Sequence, residues 1–191
     1  MARGLNVVDQ LPPVDITSRP AVNAFTTFQD IYGAPQKILP KARMEPGLTI
    51  ELFAGGTYGT TGTPTMSGGF WINGAALAAP TTILGQSQLA VSGASGQAAG
   101  YWNSYLRATL RAIGTGAAGG SWRIASGFLK IASTTSPFNT LAEWSIPVTD
   151  ALRTVTFDCT ADRALGVGWQ WGTSSASNTV TVDSFELRCA S

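Results

Sequence analysis

Residues Trp169-Gln170-Trp171-Gly172-Thr173-Ser174-Ser175-Ala176-Ser177-Asn178-Thr179-Val180-Thr181-Val182 decide the fold. Leu165, Val167, Trp169 and Trp171 recur at period two, interleaved with Gly166, Gly168 and Gln170, the spacing of a strand with one buried face. Gly172 and the Ser/Asn cluster interrupt the pattern, and Thr179 to Val182 resumes it with β-branched residues. Strand, polar loop, strand predicts a hairpin near the C-terminus. Two indoles on one face predict anchors for the last strands of a β-sandwich.

The same alternation spreads upstream. Leu48, Ile50 and Leu52 alternate with Thr49 and Glu51, giving a strand that runs to about Tyr58, and Gly59 to Pro64 reads as a loop. Thr65 to Asn73 forms a second strand, and Asn73-Gly74 is a tight-turn dipeptide. Residues 75–84 follow with a break at Pro80, and 86–100, rich in Gly, Ser, Ala and Gln, read as a loop or weak edge strand. Tyr101 to Ile113 is the longest clean alternation: Trp102, Ser104, Leu106, Ala108, Leu110 and Ala112 on one face, Tyr101, Asn103, Tyr105, Arg107, Thr109 and Arg111 on the other. Gly114 to Gly120 is a hairpin turn and Ser121 to Ile131 the returning strand. Short strands cover Glu143 to Val148 and Arg153 to Thr160, the second with Val155, Phe157 and Cys159 inward. In the closing strand the apolar phase moves from Val180 and Val182 to Phe185 and Leu187, the signature of a bulge. The fold class that follows is all-β: an antiparallel β-sandwich or jelly roll of about eight strands over residues 48–191, with an extended N-terminal arm. Trp102, Phe157, Trp169 and Trp171 are its expected core anchors.

Residues 1–47 read differently. Six of the ten prolines fall here (Pro12, Pro13, Pro20, Pro35, Pro40 and Pro46), a density that excludes continuous helix and central strands. Only Ala21 to Tyr32 has room for a short helix, with Phe25, Phe28 and Tyr32 on one face. The segment is too apolar for a solvated tail and lacks a core of its own. An arm that docks on a neighbouring surface is expected, through Leu11, Val14, Ile16, Phe25, Phe28 and Tyr32, the alternative being that it folds back on its own domain. The basic cluster Lys37, Lys41 and Arg43 either touches an acidic neighbour or nucleic acid or is simply solvated.

Composition narrows the function classes. Hydrophobic residues make up 44% of the 191 and charged residues 12%, about half the usual charged share, which favours association with other subunits. A net charge of +1 excludes bulk attraction to nucleic acid or to an anionic membrane. No apolar run approaches a membrane span or a signal-peptide core, so a protein made and kept in a cytoplasm is expected. The absence of histidine removes Ser-His and Cys-His catalysis and the usual zinc constellations. No phosphate-binding glycine motif opens a helix, and no cofactor is expected. The carboxylates admit one enzymatic idea, a glycosidase pair drawn from Glu51 with Glu143 or Asp158 with Asp183, though exposed strand carboxylates explain them more simply. Six tryptophans (Trp71, Trp102, Trp122, Trp144, Trp169 and Trp171) raise sugar stacking on an exposed indole, with cell-surface glycans as partner. Arg107 and Arg111 share a strand face, either pairing with carboxylates of an adjacent subunit or solvated. Cys159 continues an apolar phase as a core thiol; whether it meets Cys189 is left open by spacing.

Thr60-Thr61-Gly62-Thr63-Pro64-Thr65 followed by Ala75-Ala76-Leu77-Ala78-Ala79 resembles a set of small virion proteins from tailed phages of actinobacteria. Thr154-Val155-Thr156-Phe157-Asp158, Ala164-Leu165-Gly166-Val167-Gly168 and Trp171 to Val180 resemble the same set, so the likeness spans about Leu48 to Leu187. The resemblance implies a non-enzymatic β-sandwich component of the particle: head decoration, minor capsid or tail. Joined to the arm and the neutral body, it leads to a head decoration protein on the capsid exterior, assembled in the host cytoplasm. The expected partners are the major capsid protein and further copies of itself, as a homotrimer, with no direct nucleic acid and no membrane. A tail or fibre component, or a carbohydrate-binding β-sandwich module, is the alternative.

Overall fold

In the computed structural model, which describes residues 22–32, 37–74, 82–91, 100–114, 119–132 and 140–190, strand follows strand without an α-helix among those residues. The segments are β1 (Val22–Asn23), β2 (Gln29–Asp30), β3 (Lys37–Leu39), β4 (Thr49–Gly59), β5 (Thr65–Gly74), β6 (Thr82–Gln86) and β7 (Ala90–Val91). They continue as β8 (Gly100–Ala112), β9 (Gly120–Ala132), β10 (Thr140–Ser145), β11 (Thr154–Phe157), β12 (Arg163–Trp171), β13 (Thr179–Val180) and β14 (Ser184–Ala190). Alternation drives the longest of them: along β4, Ile50, Leu52, Ala54 and Tyr58 are buried, while Thr49, Glu51, Phe53, Gly55 and Thr57 between them are partly exposed.

Two antiparallel sheets result. The first runs β1-β13-β4-β8-β9-β10, with β14 also on β4 and β11 also on β9; the second runs β2-β12-β5-β6, with β3 also on β12 and β7 also on β5. Their inner faces meet through Leu52, Leu106, Ile124 and Leu129 of the first and Phe70, Val167, Trp169 and Trp171 of the second. Ring contacts cross between the sheets, Trp102 to Trp169 at 5.4 Å and Phe70 to Phe185 at 6.2 Å. Each fully buried side chain of this size contributes about 1.5–3 kcal/mol relative to exposure.

The bulge read from the closing strand is present. Val180 faces Tyr58 and Ser184 faces Gly55, so four steps on one strand oppose three on the other. Thr181 N–H donates to Thr57 O and Asp183 N–H to Gly55 O, which keeps the ladder bonded through the extra residue. The shift lets Val180 and Val182 on one side of it and Phe185 and Cys189 on the other all reach the core.

Four local expectations are corrected. The 165–182 stretch is not a hairpin: β12 pairs with β5 in the second sheet and β13 with β4 in the first, so the 172–178 loop carries the chain between sheets. Nor has β12 one buried face. Gly166 and Gly168 leave its other side open to rings, and a Cβ there would stand 2.2 Å from Trp71 Cζ2 and 2.1 Å from Phe28 Cε1. Asn73 and Gly74 do not form a two-residue turn but extend β5, opposite Ala164 and Arg163. Residues 22–32 are not helical, because their backbone is bonded elsewhere: Asn23 pairs with Thr179, Trp171 N–H donates to Phe25 O, and Ile31 N–H donates to Val167 O.

The described part of the expected arm is therefore stitched to the body. Strands β2 and β3 lengthen the second sheet, and Phe25, Ile31, Tyr32 and Leu39 are buried in its core. Tyr32 lies edge-on to Phe185 at 4.9 Å. Leu11, Val14 and Ile16 lie outside the described residues.

Deletion of residues 1–40 removes these four buried side chains; at about 2–5 kcal/mol for each large-to-small core change, the loss rivals a domain's whole stability of about 5–15 kcal/mol. Thermal melting followed by circular dichroism is expected to show no cooperative transition for that truncation and a transition close to full length for deletion of 1–21. Equal melting of the two truncations would refute the structural role assigned to Phe25, Ile31, Tyr32 and Leu39.

Candidate binding surfaces

The core consumes the indoles. All six tryptophans are buried, the most exposed being Trp144 at 8%, so none presents a stacking platform. Trp102, Phe157, Trp169 and Trp171 all lie in the core cluster. Trp102 Nε1 donates to Thr181 O at 2.9 Å and Trp71 Nε1 to Asp30 Oδ1 at 3.2 Å.

The carboxylates are separated and engaged. Glu51 on β4 and Glu143 on β10 stand three strand spacings and four residues of register apart, ~19 Å, against the ~5–10 Å of a glycosidase pair. Asp158, after β11, and Asp183, in the bulge beside β4, belong to opposite edges of the first sheet. Glu51 lies 3.9 Å from Arg107, Glu143 3.1 Å from Lys130, and Asp158 2.7 Å from Arg163. Thus Arg107 finds its carboxylate within its own chain. Asp158 is held below the usual carboxylate range, first by the Thr160 hydroxyl and backbone N–H and then by Arg163. Among the described residues no group of three or more His, Cys, Asp or Glu side chains is placed to hold a metal ion.

The remaining arm residues divide. Phe28 is half-buried over Gly168, on the side of β12 opposite the core, while Lys37 is half-buried on β3, where burial lowers its pKa and Glu186 partly offsets that. Lys41 and Arg43 are exposed on a short 3-10 turn whose start is fixed by Lys41 N–H donating to Asp162 Oδ1 at 2.8 Å. The two cysteines are free and buried, Cys189 on β14 and Cys159 beyond β11 at the other edge of the first sheet, and burial raises both thiol pKa values.

Two surfaces stand out, neither marked by a sequence motif. One is an apolar groove of about 400 Å³ where β6 of the second sheet approaches β11 of the first; Ile83, Val148 and Leu152 on it are 40%, 41% and 54% exposed. The other is on the outer face of the first sheet. There Phe53, Tyr105 and Phe128 are register partners on β4, β8 and β9, with ring centroids 4.8 and 5.7 Å apart. Period-two reading placed Tyr105 on an outer face; that Phe53 and Phe128 join it depends on register, and for Phe128 on the bulge in β9 near Ala125. Tyr105 Oη donates to Glu51 Oε1 at 3.1 Å.

Compared with protein-family models, curated proteins and solved structures, the chain gives no match.

Partial burial, and then the charge of Glu51, raise the Tyr105 pKa. Glu51→Gln removes a negative charge that opposes the phenolate, so the Tyr105 pKa is expected to fall. Phenolate absorbance during alkaline titration measures this, with Tyr58, pushed up to about 12 by burial, ionising late in both proteins. An unchanged titration in the variant would show that Glu51 and Tyr105 do not interact in solution.

Proposed function

We propose that the protein is a structural component of a tailed-phage particle, a head decoration protein seated on the assembled major capsid lattice. The observation that carries this reading is the apolar edge groove, with Ile83, Val148 and Leu152 exposed on a chain that has only 12% charged residues. Aliphatic side chains grouped at an edge, with few charges to keep them solvated, favour contact with another protein surface. The resemblance of residues 48–187 to small virion proteins supports the same reading. A jelly-roll winding belongs to the same proposal, and the pairing of β4 with β14 and of β5 with β12 is compatible with it.

The contact with the shell is then made by residues 1–21, where Leu11, Val14 and Ile16 supply apolar anchors, with Lys41 and Arg43 as exposed cations downstream. Phe25 and Tyr32 belong instead to the protein's own core, where they brace the base of the arm. The edge groove joins copies into a trimer projecting from the capsid exterior. No catalysis or cofactor is involved. Stabilisation follows from mass action: a protein that binds the assembled lattice and not its dissociated subunits raises the free energy of opening, by about 2.7 kcal/mol per site at a free concentration 100-fold above Kd.

Quantifying copies per purified particle tests the reading: hundreds are expected for decoration, and a handful would place the protein in the tail. Deletion of 1–21 is expected to abolish binding to undecorated heads while the body stays folded. Full occupancy by that truncation would rule out the arm. Leu152→Glu is expected to reduce self-association in sedimentation without unfolding, since its side chain is exposed.

A further inference from the structure

We propose that the outer face of the first sheet carries a saccharide site, a trough above Gly55 that takes a short neutral stretch of a glycan chain. Ser184, Gly55 and Asn103 are register partners on β14, β4 and β8, and Gly55 contributes no side chain between the other two. A Cβ built at Gly55 would lie 3.5 Å from Ser184 Oγ and 3.8 Å from Asn103 Cβ, so the gap is one side chain wide. Along one side stands the row Phe53, Tyr105 and Phe128, and Glu186 and Arg188 of β14 also line the depression. The depression measures about 330 Å³, at the small end of ligand clefts.

Chemistry selects the ligand. Half-buried phenyl and phenol rings offer apolar surface for the C–H faces of a pyranose, in a row 4.8 and 5.7 Å apart across three strands. Asn103 and Ser184 face this row with an amide and a hydroxyl that make no hydrogen bond among the described residues, while sugar hydroxyls need both donors and acceptors. The surrounding charges cancel in pairs: Arg188 with Glu186 at 2.9 Å, Lys130 with Glu143 at 3.1 Å, and Arg107 with Glu51 at 3.9 Å. Arg188 and Lys130 also lie 4.9 Å and 5.0 Å from the ring centres of Phe53 and Phe128, closing the two ends of the row. Paired charges give an anionic chain no special attraction, and a neutral saccharide no desolvated ion to meet. This site shares no residue with those assigned to particle binding and self-association, so the two readings fail independently.

The test is titration of the full-length protein, by calorimetry or by amide shifts, with hexasaccharides of glucose, mannose, galactose and N-acetylglucosamine, and with polygalacturonate as the anionic probe. At least one neutral hexamer is expected to bind. Ser184→Trp, which fills the trough from an exposed position, and Asn103→Ala are each expected to weaken that binding by about tenfold or more, with melting unchanged. Phe53→Ala is a third variant; should it fail to fold, the two polar-position variants still decide. The proposal is overturned if no neutral hexamer binds at millimolar concentration, or if polygalacturonate alone binds. Neutral binding that survives both Ser184→Trp and Asn103→Ala also overturns it. So does loss of particle binding or self-association in Ser184→Trp without saccharide binding by the parent, which would make the face a protein contact.

Discussion

The indole of Trp169 is the contact on which the sandwich depends. It sits 5.4 Å from Trp102 of the opposite sheet and 5.7 Å from Trp171 on its own strand. On the neighbouring strand it covers Gly68, where a Cβ would come within 2.8 Å of the ring and 3.2 Å of Leu129 from the facing sheet. One side chain thereby ties β12 to β5 and β8, and truncating such a buried aromatic costs about 3–5 kcal/mol. Trp102, its partner, donates to Thr181 O inside the bulge, so the same cluster holds the chain where the last strand changes phase.

That use of the indoles shapes the surface. With every tryptophan committed to the interior, exposed aromatic area is left to smaller rings, and Phe53, Tyr105 and Phe128 gather on the outer face of the first sheet. On this face charged side chains pair with one another, Lys130 with Glu143 directly opposite in register and Arg107 with Glu51 across β8 and β4. Such exposed pairs contribute little stability, typically about 0–1 kcal/mol. Their consequence is a nearly neutral face, interrupted by the trough at Gly55 and, at the far edge, by the aliphatic groove around Ile83 and Leu152.

Strand content was legible because a half-buried strand must alternate, and Leu48 to Tyr58 and Tyr101 to Ile113 do so almost without exception. The bulge was legible for the same reason, since a one-residue phase change in the apolar set leaves no other way to keep both halves buried. The candidate site was not. Glu51 and Glu143, or Asp158 and Asp183, look like possible pairs along the chain, and only strand order separates them. Conversely, Phe53, Tyr105 and Phe128 are far apart in sequence and become one row because β4, β8 and β9 are adjacent in that register. Phe25 and Tyr32 were expected to reach outward on the strength of the prolines around them, yet the second sheet had an open edge at β12 for β2 and β3 to occupy.

By itself, the sequence determined an all-β chain, the positions of its long strands from Leu48 onward to within a few residues, the apolar face of most of them, and the absence of histidine chemistry. These are local consequences of side-chain periodicity and composition. Tertiary structure alone decided that the strands flanking Gly172 to Asn178 belong to different sheets, that β12 is covered on both sides, and that Phe25, Ile31, Tyr32, Leu39 and Met44 complete the core. Each of these depends on which strand supplies the partner hydrogen bonds, and a backbone N–H or C=O carries no side-chain label saying which partner it will take.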